Sequence, residues 1–404
     1  MKIALVSEHA SPLALLGGVD AGGQNVHVAD LSRHLAALGH DVVVHTRRDD
    51  PALPRHVQFA PGVVVDHVDA GPPTPLAKDE LLPHMRAFAS DLARIWAVDR
   101  PDVVHSHFWM SGLASLAAAR SLDIPVAHTY HALGVVKRRH QGTQDTSPRA
   151  RLAIERMLAI NVDKVISTSA DEAFELTRMG ADPARVAVIP CGVDLNRFTP
   201  AGAVADRMCG RPRVVVVSRL VERKGIGNVI SALAYLPGVE LVIAGGAPGA
   251  MLDEDAEAQR FARLARVHGV HERTELLGSV PRERVPALIR SGDVVACCPW
   301  YEPFGLVAVE AMACGVPVVA SAVGGLAETV VHDVTGLHVP ARDPGRIASA
   351  LTQLLGDEAR RRSMGARSAD RAARYGWTSI ARRTADVLTE MLAVHVQTTI
   401  SRTA

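Results

Sequence analysis

Two stretches, far apart in the chain, combine cations, carboxylates and glycines in an order that suits a doubly charged phosphate ligand. The first, Ser218-Arg219-Leu220-Val221-Glu222-Arg223-Lys224-Gly225, follows a valine run and opens a helical pattern. Arg219 and Lys224 would stand beside a helix N-terminus, where two cations and free backbone N–H groups form a diphosphate site. The second, Glu302-Pro303-Phe304-Gly305-Leu306-Val307-Ala308-Val309-Glu310, passes from a loop into another helical pattern. The N–H groups of Phe304, Gly305 and Leu306 would point out of that helix start, toward an anion. Glu310 falls about 7.5 Å further along the axis by helical rise. Taken singly, the first stretch reads more readily as a solvated basic turn. The second reads equally well as a capping carboxylate plus an ordinary helix glutamate. Their occurrence in one half of the chain is what points to a ligand.

A third stretch, Gly17-Gly18-Val19-Asp20-Ala21-Gly22-Gly23-Gln24-Asn25, follows the first apolar run. Gly22 and Gly23 ahead of a helix let backbone approach a ligand closely. The stretch is not GxGxxG, and the next strand ends His45-Thr46-Arg47 rather than on an acid, which argues against a dinucleotide dehydrogenase. No Gly-Lys-Ser/Thr of a P-loop occurs. His131, at the end of a strand, could hydrogen-bond a substrate hydroxyl, although a lone histidine is more often structural. His105-Ser106-His107 places two rings on one strand face, as a metal pair would. No third ligand stands at a fixed spacing, so a structural or substrate-contact role is expected. Asp253-Glu254-Asp255 mimics a metal-binding DxD but opens a charged helix, where acids favour the helix dipole; it reads as surface.

The elements that position these residues alternate. Val/Ile/Leu-rich runs are expected as strands at Ile3–Val6, Asp41–His45, Val63–Val68, Val103–His107, Val126–Tyr130, Val165–Ser169 and Val186–Pro190, with amphipathic helices between most of them. After a Pro- and Gly-rich stretch, Pro190–Pro212, the alternation restarts, with strands at Val214–Ser218, Glu240–Ala244, Thr274–Leu277, Val294–Cys297 and Val316–Ala320. The reading is α/β, with two doubly wound parallel-sheet domains, 1–200 and 201–377, and a last helical segment, 378–404, that could pack on either. A chain of 404 residues is long enough for two such cores. In open parallel sheets ligands bind beyond the carboxyl ends of the strands, so two facing sheets would surround one cleft with their loops.

Lys plus Arg (44) nearly equals Asp plus Glu (43), so no electrostatic case for nucleic-acid binding exists. The five cysteines lack CxxC pairing and are expected as reduced thiols, consistent with a cytoplasmic protein. The opening Met1–Val6 is too short for a signal peptide, and no apolar stretch reaches spanning length. Arg360-Arg361-Arg362 is expected as a solvated helix face.

With these motifs in order, the chain resembles glycosyltransferase family 4, retaining enzymes of the GT-B fold, over nearly its whole length. The resemblance rests on Gly22-Gly23, the strand end at His131, Cys191-Gly192-Val193-Asp194, Arg219 with Lys224, and Glu302 to Glu310. It implies that Arg219 and Lys224 grip the donor diphosphate in place of a metal, helped by the amides of Gly23 and of Phe304, Gly305 and Leu306. Glu310 would bind the ribose, Glu302 and His131 the transferred sugar, and Val280 would lie in the base-binding loop. Transfer would proceed on the front face, with the leaving phosphate helping to deprotonate the acceptor and domain closure excluding water. No cofactor and no metal are expected for catalysis.

For the acceptor, the N-terminal half looks like the inositol-phosphate and sucrose-phosphate branches of the family. Asn25, Lys78, Phe108, Arg138 and Arg151 are the implied acceptor contacts, with Lys78 on the phosphate. Phe108 and Ala132 stand where the inositol-phosphate enzymes carry Tyr and Thr, so two hydroxyl donors are missing. Lys137-Arg138-Arg139 could compensate, or the acceptor is an unphosphorylated aminocyclitol or other natural product. UDP is the default donor base. Expected partners are thus a nucleotide-sugar and a small polyol or sugar-phosphate, with a homodimer left open. A nucleotide-sugar epimerase of the same fold and a non-catalytic nucleotide-sugar sensor are the rival readings.

Overall fold

The computed structural model describes residues 1–14, 22–207 and 210–403. The glycine loop ahead of Gly22 and the thiol of Cys209 lie outside them. The chain divides into two compact units. Among the described residues one comprises 1–14, 22–191 and 377–403, and the other 192–207 and 210–376. The first unit therefore ends at Cys191 rather than at residue 200. The reason is local: Val193 pairs with Gly376 and donates its N–H to Tyr375, which ties the start of the presumed linker to the second unit.

The strands of the first unit are β1 (Lys2–Val6), β2 (Asp41–Arg47), β3 (His56–Ala60), β4 (Val63–Val68), β5 (Val103–His107), β6 (Val126–Thr129), β7 (Lys164–Ser167) and β8 (Val186–Val188). Its helices are α1 (Gly23–Ala37), α2 (Met85–Val98), α3 (Trp109–Arg120), α4 (Gly134–Gln141), α5 (Arg151–Asn161) and α6 (Ala170–Arg178). The strands form one sheet in the order β3-β4-β2-β1-β5-β6-β7-β8. All neighbours are parallel except the β3–β4 hairpin. Side chains alternate across a strand, so Ile3 and Leu5 join one core while Ala4 and Val6 join the other. Both faces are thus buried, as parallel sheets require.

The second unit has strands β9 (Arg213–Val217), β10 (Glu240–Ala244), β11 (Thr274–Gly278), β12 (Val294–Cys297), β13 (Val318–Ser321) and β14 (Gly336–Val339). Its helices are α7 (Ile226–Leu233), α8 (Ala256–Val267), α9 (Val285–Arg290), α10 (Leu306–Ala313), α11 (Leu326–Thr329), α12 (Pro344–Leu355) and α13 (Glu358–Ala372). The sheet is parallel throughout, in the order β11-β10-β9-β12-β13-β14. Strand order reverses between β1 and β5 in the first sheet and between β9 and β12 in the second. Such switch points leave a crevice at the strands' carboxyl ends, where ligands bind.

The last helix, α14 (Trp377–Thr403), returns to the first unit. Trp377, Ile380, Ala381, Leu388 and Met391 are buried in the same core as Ile3, Leu5 and the α1 residues Val28, Leu31 and Leu35. That contact settles on which half the C-terminal segment packs. Asp255 caps α8, accepting from the N–H groups of Glu257 and Ala258, which accounts for the DxD-like run. Arg361 donates to the carbonyls of Leu354 and Leu355 at the end of α12, and Arg360 pairs with Asp333.

Candidate active site

In the second unit the switch point carries the charge predicted for it. Beyond β9, Arg219 is exposed, and a single 3-10 turn, Glu222–Lys224, leads into Gly225. Gly225 has φ 71°, and an added Cβ would lie 1.9 Å from the Cys298 carbonyl oxygen, so only glycine permits this close approach of two strand ends. The approach sets Lys224 against Glu302, to whose carboxylate its ammonium donates a hydrogen bond. Their side chains are only 20% and 15% exposed. Burial alone would raise the Glu302 carboxyl, but Lys224, Arg223 and Arg219 together hold it below the usual carboxylate range. A carboxylate kept ionised amid three cations is ready to accept hydrogen bonds from sugar hydroxyls, while the cations leave positive potential for a diphosphate.

Phe304, Gly305 and Leu306 form the start of α10. Gly305 is its N-cap at φ 92°, with no side chain satisfying the first N–H groups. Those donors and the helix dipole favour an anion there. Glu310, four residues into α10, is buried and held by Arg282 at 2.5 Å. Arg282 in turn lies over the Phe198 ring, 4.8 Å from its centroid. Motif reading missed Arg282, although it lies two residues beyond Val280 in the stretch assigned to the base. Val280 follows the β11 end, where Gly278 sits at φ 71°. Arg219, Lys224, Glu302, Phe304, Gly305, Leu306 and Glu310 thus all flank the β9–β12 switch point or the helix leading from it.

The first unit has its own switch point, at the ends of β1 and β5. Glu8 and His9 follow β1. Glu8 is buried; it hydrogen-bonds His9 at 2.7 Å and accepts from the Ser111 hydroxyl of α3. Neither was singled out from sequence; a Glu-His pair directly after the first strand was the available signal. Beyond β5, Phe108 holds φ 78° and ψ 151°, a conformation that costs a non-glycine residue about 1–3 kcal/mol. His131, beyond β6, is also left-handed at φ 60°. Strain concentrated at two adjacent strand ends is a mark of a functional site.

Around Phe108 two cations gather: the Lys78 ammonium lies 4.8 Å and the Arg151 guanidinium 5.2 Å from its ring centroid. Arg151 is anchored inward. It pairs with Glu155 at 2.7 Å and donates to the Ala132 carbonyl and the Ser147 hydroxyl. Lys137 pairs with Asp145 at 2.9 Å and Arg139 with Glu175 at 2.8 Å, while Arg138 is exposed on α4. Asn25 is buried; it accepts from the Gly22 N–H and donates to the Ser11 carbonyl, closing the start of α1. The structure therefore collects Lys78, Phe108 and Arg151, and gives Asn25 a loop-holding pair of hydrogen bonds.

The histidines form a cluster that spacing did not reveal. His107 Nδ1 lies 3.0 Å from His131 Nε2, and the His27 ring of α1 stands 4.9 Å from that of His131. His105 packs on His107 and hydrogen-bonds Thr129. Burial, then mutual repulsion, hold His105, His107 and His131 well below the usual imidazole range, and burial lowers His27 to about 4. All four are neutral near pH 7.

Residues 21–197 match the family model described as Glycosyltransferase Family 4, and residues 208–371 match Glycosyl transferases group 1. A D-inositol 3-phosphate glycosyltransferase 2 from Catenulispora acidiphila is 39% identical, covering 96% of this chain and 94% of its own. The chain belongs to glycosyltransferase family 4. A D-inositol 3-phosphate glycosyltransferase from Xylanimonas cellulosilytica is 38% identical over 100% of this chain and 98% of its own. Among solved structures, sucrose-phosphate synthase from Thermosynechococcus elongatus superposes with a TM-score of 0.91 at 33% identity, covering 98% of this chain and all of that one. The fold is that of the GT-B glycosyltransferases, and the protein is a hexosyltransferase. Among the described residues no helix is long and apolar enough to cross a membrane.

Proposed function

We propose that this family 4 enzyme transfers a hexose or amino-hexose, with retention, from a UDP-sugar to a small polyol or its phosphate. The observation that carries the reading is the Lys224–Glu302 contact at the second switch point, flanked by Arg219, Arg223 and the uncapped start of α10. Arg219 and Lys224 neutralise the diphosphate as it leaves, a task that needs no metal. The amides at the start of α10 add donors, Glu310 takes the ribose hydroxyls, and Val280 lines the base loop. In the second unit Glu302 accepts from sugar hydroxyls; in the first, His131, neutral, is able both to donate to a sugar hydroxyl and to accept from one. The leaving phosphate takes the acceptor proton on the same face, so no side-chain base is required.

The acceptor side rests on Lys78, Phe108 and Arg151. Relatives named for D-inositol 3-phosphate support a phosphorylated polyol, with Lys78 as the phosphate contact. The Phe108 ring, bearing no hydroxyl, and the pairing of Arg151 with Glu155 favour a second reading, an unphosphorylated aminocyclitol. Melting the protein against UDP-, GDP-, ADP- and dTDP-sugars, each with and without inositol 3-phosphate, tests both. A tight ligand raises the melting temperature by mass action. Stabilisation by a UDP-sugar, increased by inositol phosphate, supports the first reading. A UDP-sugar shift that is indifferent to inositol phosphate supports the second. Conversion of the donor with no acceptor present would mark an epimerase and overturn the transferase assignment.

A further inference from the structure

We propose that His27, His107 and His131 form a binding site for one divalent transition-metal ion of the zinc class, and that its occupancy silences transfer. Each of these residues offers one ligand nitrogen, and the three lie within 4.8 Å of one another. They come from three elements: His27 from α1, His107 from the end of β5, and His131 from the residue pair after β6. The 3.0 Å between His107 Nδ1 and His131 Nε2 approaches the edge, about 3.3 Å, of a tetrahedron built on zinc–nitrogen bonds of about 2.0–2.1 Å.

The surroundings satisfy these rings only in part: His107 Nδ1 and His131 Nε2 share a hydrogen bond, and two of the other ring nitrogens have none. His27 Nδ1 and His107 Nε2 are buried without a hydrogen-bond partner. A buried polar atom left unpaired costs about 1–3 kcal/mol; an ion taken up at His27 Nδ1 converts that penalty into ligation, while His107 ligates through Nδ1 and its Nε2 becomes the nitrogen that carries the proton. Ligation needs the proton shared by His107 Nδ1 and His131 Nε2 to shift to the far nitrogen of the ring that carries it, a change of tautomer with no net proton released from neutral rings. Neutral imidazoles without a carboxylate suit zinc, copper, nickel or cobalt and repel little from them, whereas magnesium and calcium demand oxygen ligands. His105, hydrogen-bonded to Thr129 and packed 4.2 Å from the His107 ring, supports the group from behind, and Trp377 lies edge-on to His27 at 5.3 Å. His131 alone of the three is not fully buried, so an ion would reach the group on its side.

The inhibitory half of the proposal rests on the sugar contact given to His131 above; the binding half does not. Protein stripped with EDTA and desalted is dialysed against micromolar zinc chloride, then studied by metal analysis, X-ray absorption and transfer assay. One zinc per chain with a nitrogen/oxygen shell showing imidazole scattering, lost in His27→Leu and in His107→Phe variants that melt cooperatively, is the expected result. Absence of a bound equivalent overturns the site. A sulfur-containing shell does so too, because it moves the ion to the cysteines. Retention of zinc by either folded variant has the same force. The X-ray absorption result on the wild type stands whether or not the variants fold. Transfer falls in proportion to occupancy and returns with EDTA. Full activity in the nitrogen-ligated zinc form refutes the inhibition and the sugar contact of His131 while leaving the site itself established.

Discussion

Replacing Lys224 by methionine keeps much of the side chain's bulk and removes its charge, leaving Glu302 buried beside Arg223 and Arg219 without its hydrogen-bond donor. Truncating one partner of a fully buried ion pair costs about 3–5 kcal/mol. Because these side chains keep 20% and 15% exposure and two arginines remain, the expected cost is nearer 2 kcal/mol. In a unit of this size that lowers the melting temperature by roughly 4–8 °C. The pH dependence has a fixed sign. In the wild type the Glu302 carboxyl is held low, so its stabilisation is complete above the unfolded carboxyl value, about 4.3, and fades as pH drops through the lowered native value. In Lys224→Met burial acts with less opposition and the native value rises. The deficit is therefore largest near neutrality and shrinks as pH approaches about 4.3. Transfer, followed by nucleotide release at saturating acceptor, falls by about 10²–10³ in kcat/KM for the donor, the loss typical when one donor to developing oxyanion charge is removed. Because the pair is in contact, Lys224→Met combined with Glu302→Gln loses less than the sum of the two single losses. A folded Lys224→Met enzyme with wild-type transfer, or a melting deficit that does not change with pH, refutes the reasoning.

Phe108→Tyr adds a hydroxyl to the ring over which the Lys78 and Arg151 cations lie. It lowers KM for inositol 3-phosphate about tenfold, by one hydrogen bond to a charged group, and leaves KM for the donor unchanged. Steady-state kinetics checks this, and an unchanged acceptor KM speaks for the unphosphorylated acceptor. Arg151→Ala strands Glu155, whose side chain is 0% exposed and whose carboxyl burial pushes up, and destabilises the first unit by about 3–5 kcal/mol in denaturant titration. EDTA does not lower the initial rate; abolition with rescue by magnesium would contradict the metal-free role given to Arg219 and Lys224. Truncation ahead of Trp377 uncovers the Ile3, Leu5 and α1 core, at about 1.5–3 kcal/mol for each large side chain lost, and is expected to yield insoluble protein in a solubility assay.

Much of the architecture is legible in one dimension because a parallel sheet writes itself as short apolar runs. Val63–Val68, Val103–His107, Glu240–Ala244 and Val294–Cys297 occur where those runs place them. The elements that escape reading carry weaker patterns. β3, His-Val-Gln-Phe-Ala, is an antiparallel edge strand with one solvated face, so it lacks a continuous run. α4 is dominated by Lys137-Arg138-Arg139-His140 and reads as a basic patch, because its one buried residue, Gly134, adds nothing to an apolar stripe. β14 is only Gly336–Val339 and begins on a glycine. The unit boundary moves because a single parallel bridge, Val193 to Gly376, joins residues too distant in sequence for composition to connect.

The two ligand regions differ in legibility for a physical reason. The donor constellation depends on backbone: a helix start without a cap, a glycine that lets two strand ends approach, and cations placed within a few residues of them. Such features are local, and Arg219, Lys224, Glu302 and Glu310 announce themselves by spacing. The acceptor region and the histidine cluster depend on tertiary coincidence instead. Lys78 meets Phe108 from thirty positions earlier in the chain, and Arg151 arrives from a third element already committed to Glu155. His27 reaches His107 and His131 only because α1 packs over the sheet at that point. The constellation of Arg219, Lys224, Glu302 and Glu310 is thus written in local sequence. The surroundings of Phe108 and the histidine cluster are fixed by packing, so Phe108→Tyr is expected to change the first unit's site and leave the local constellation of the second unit as it is.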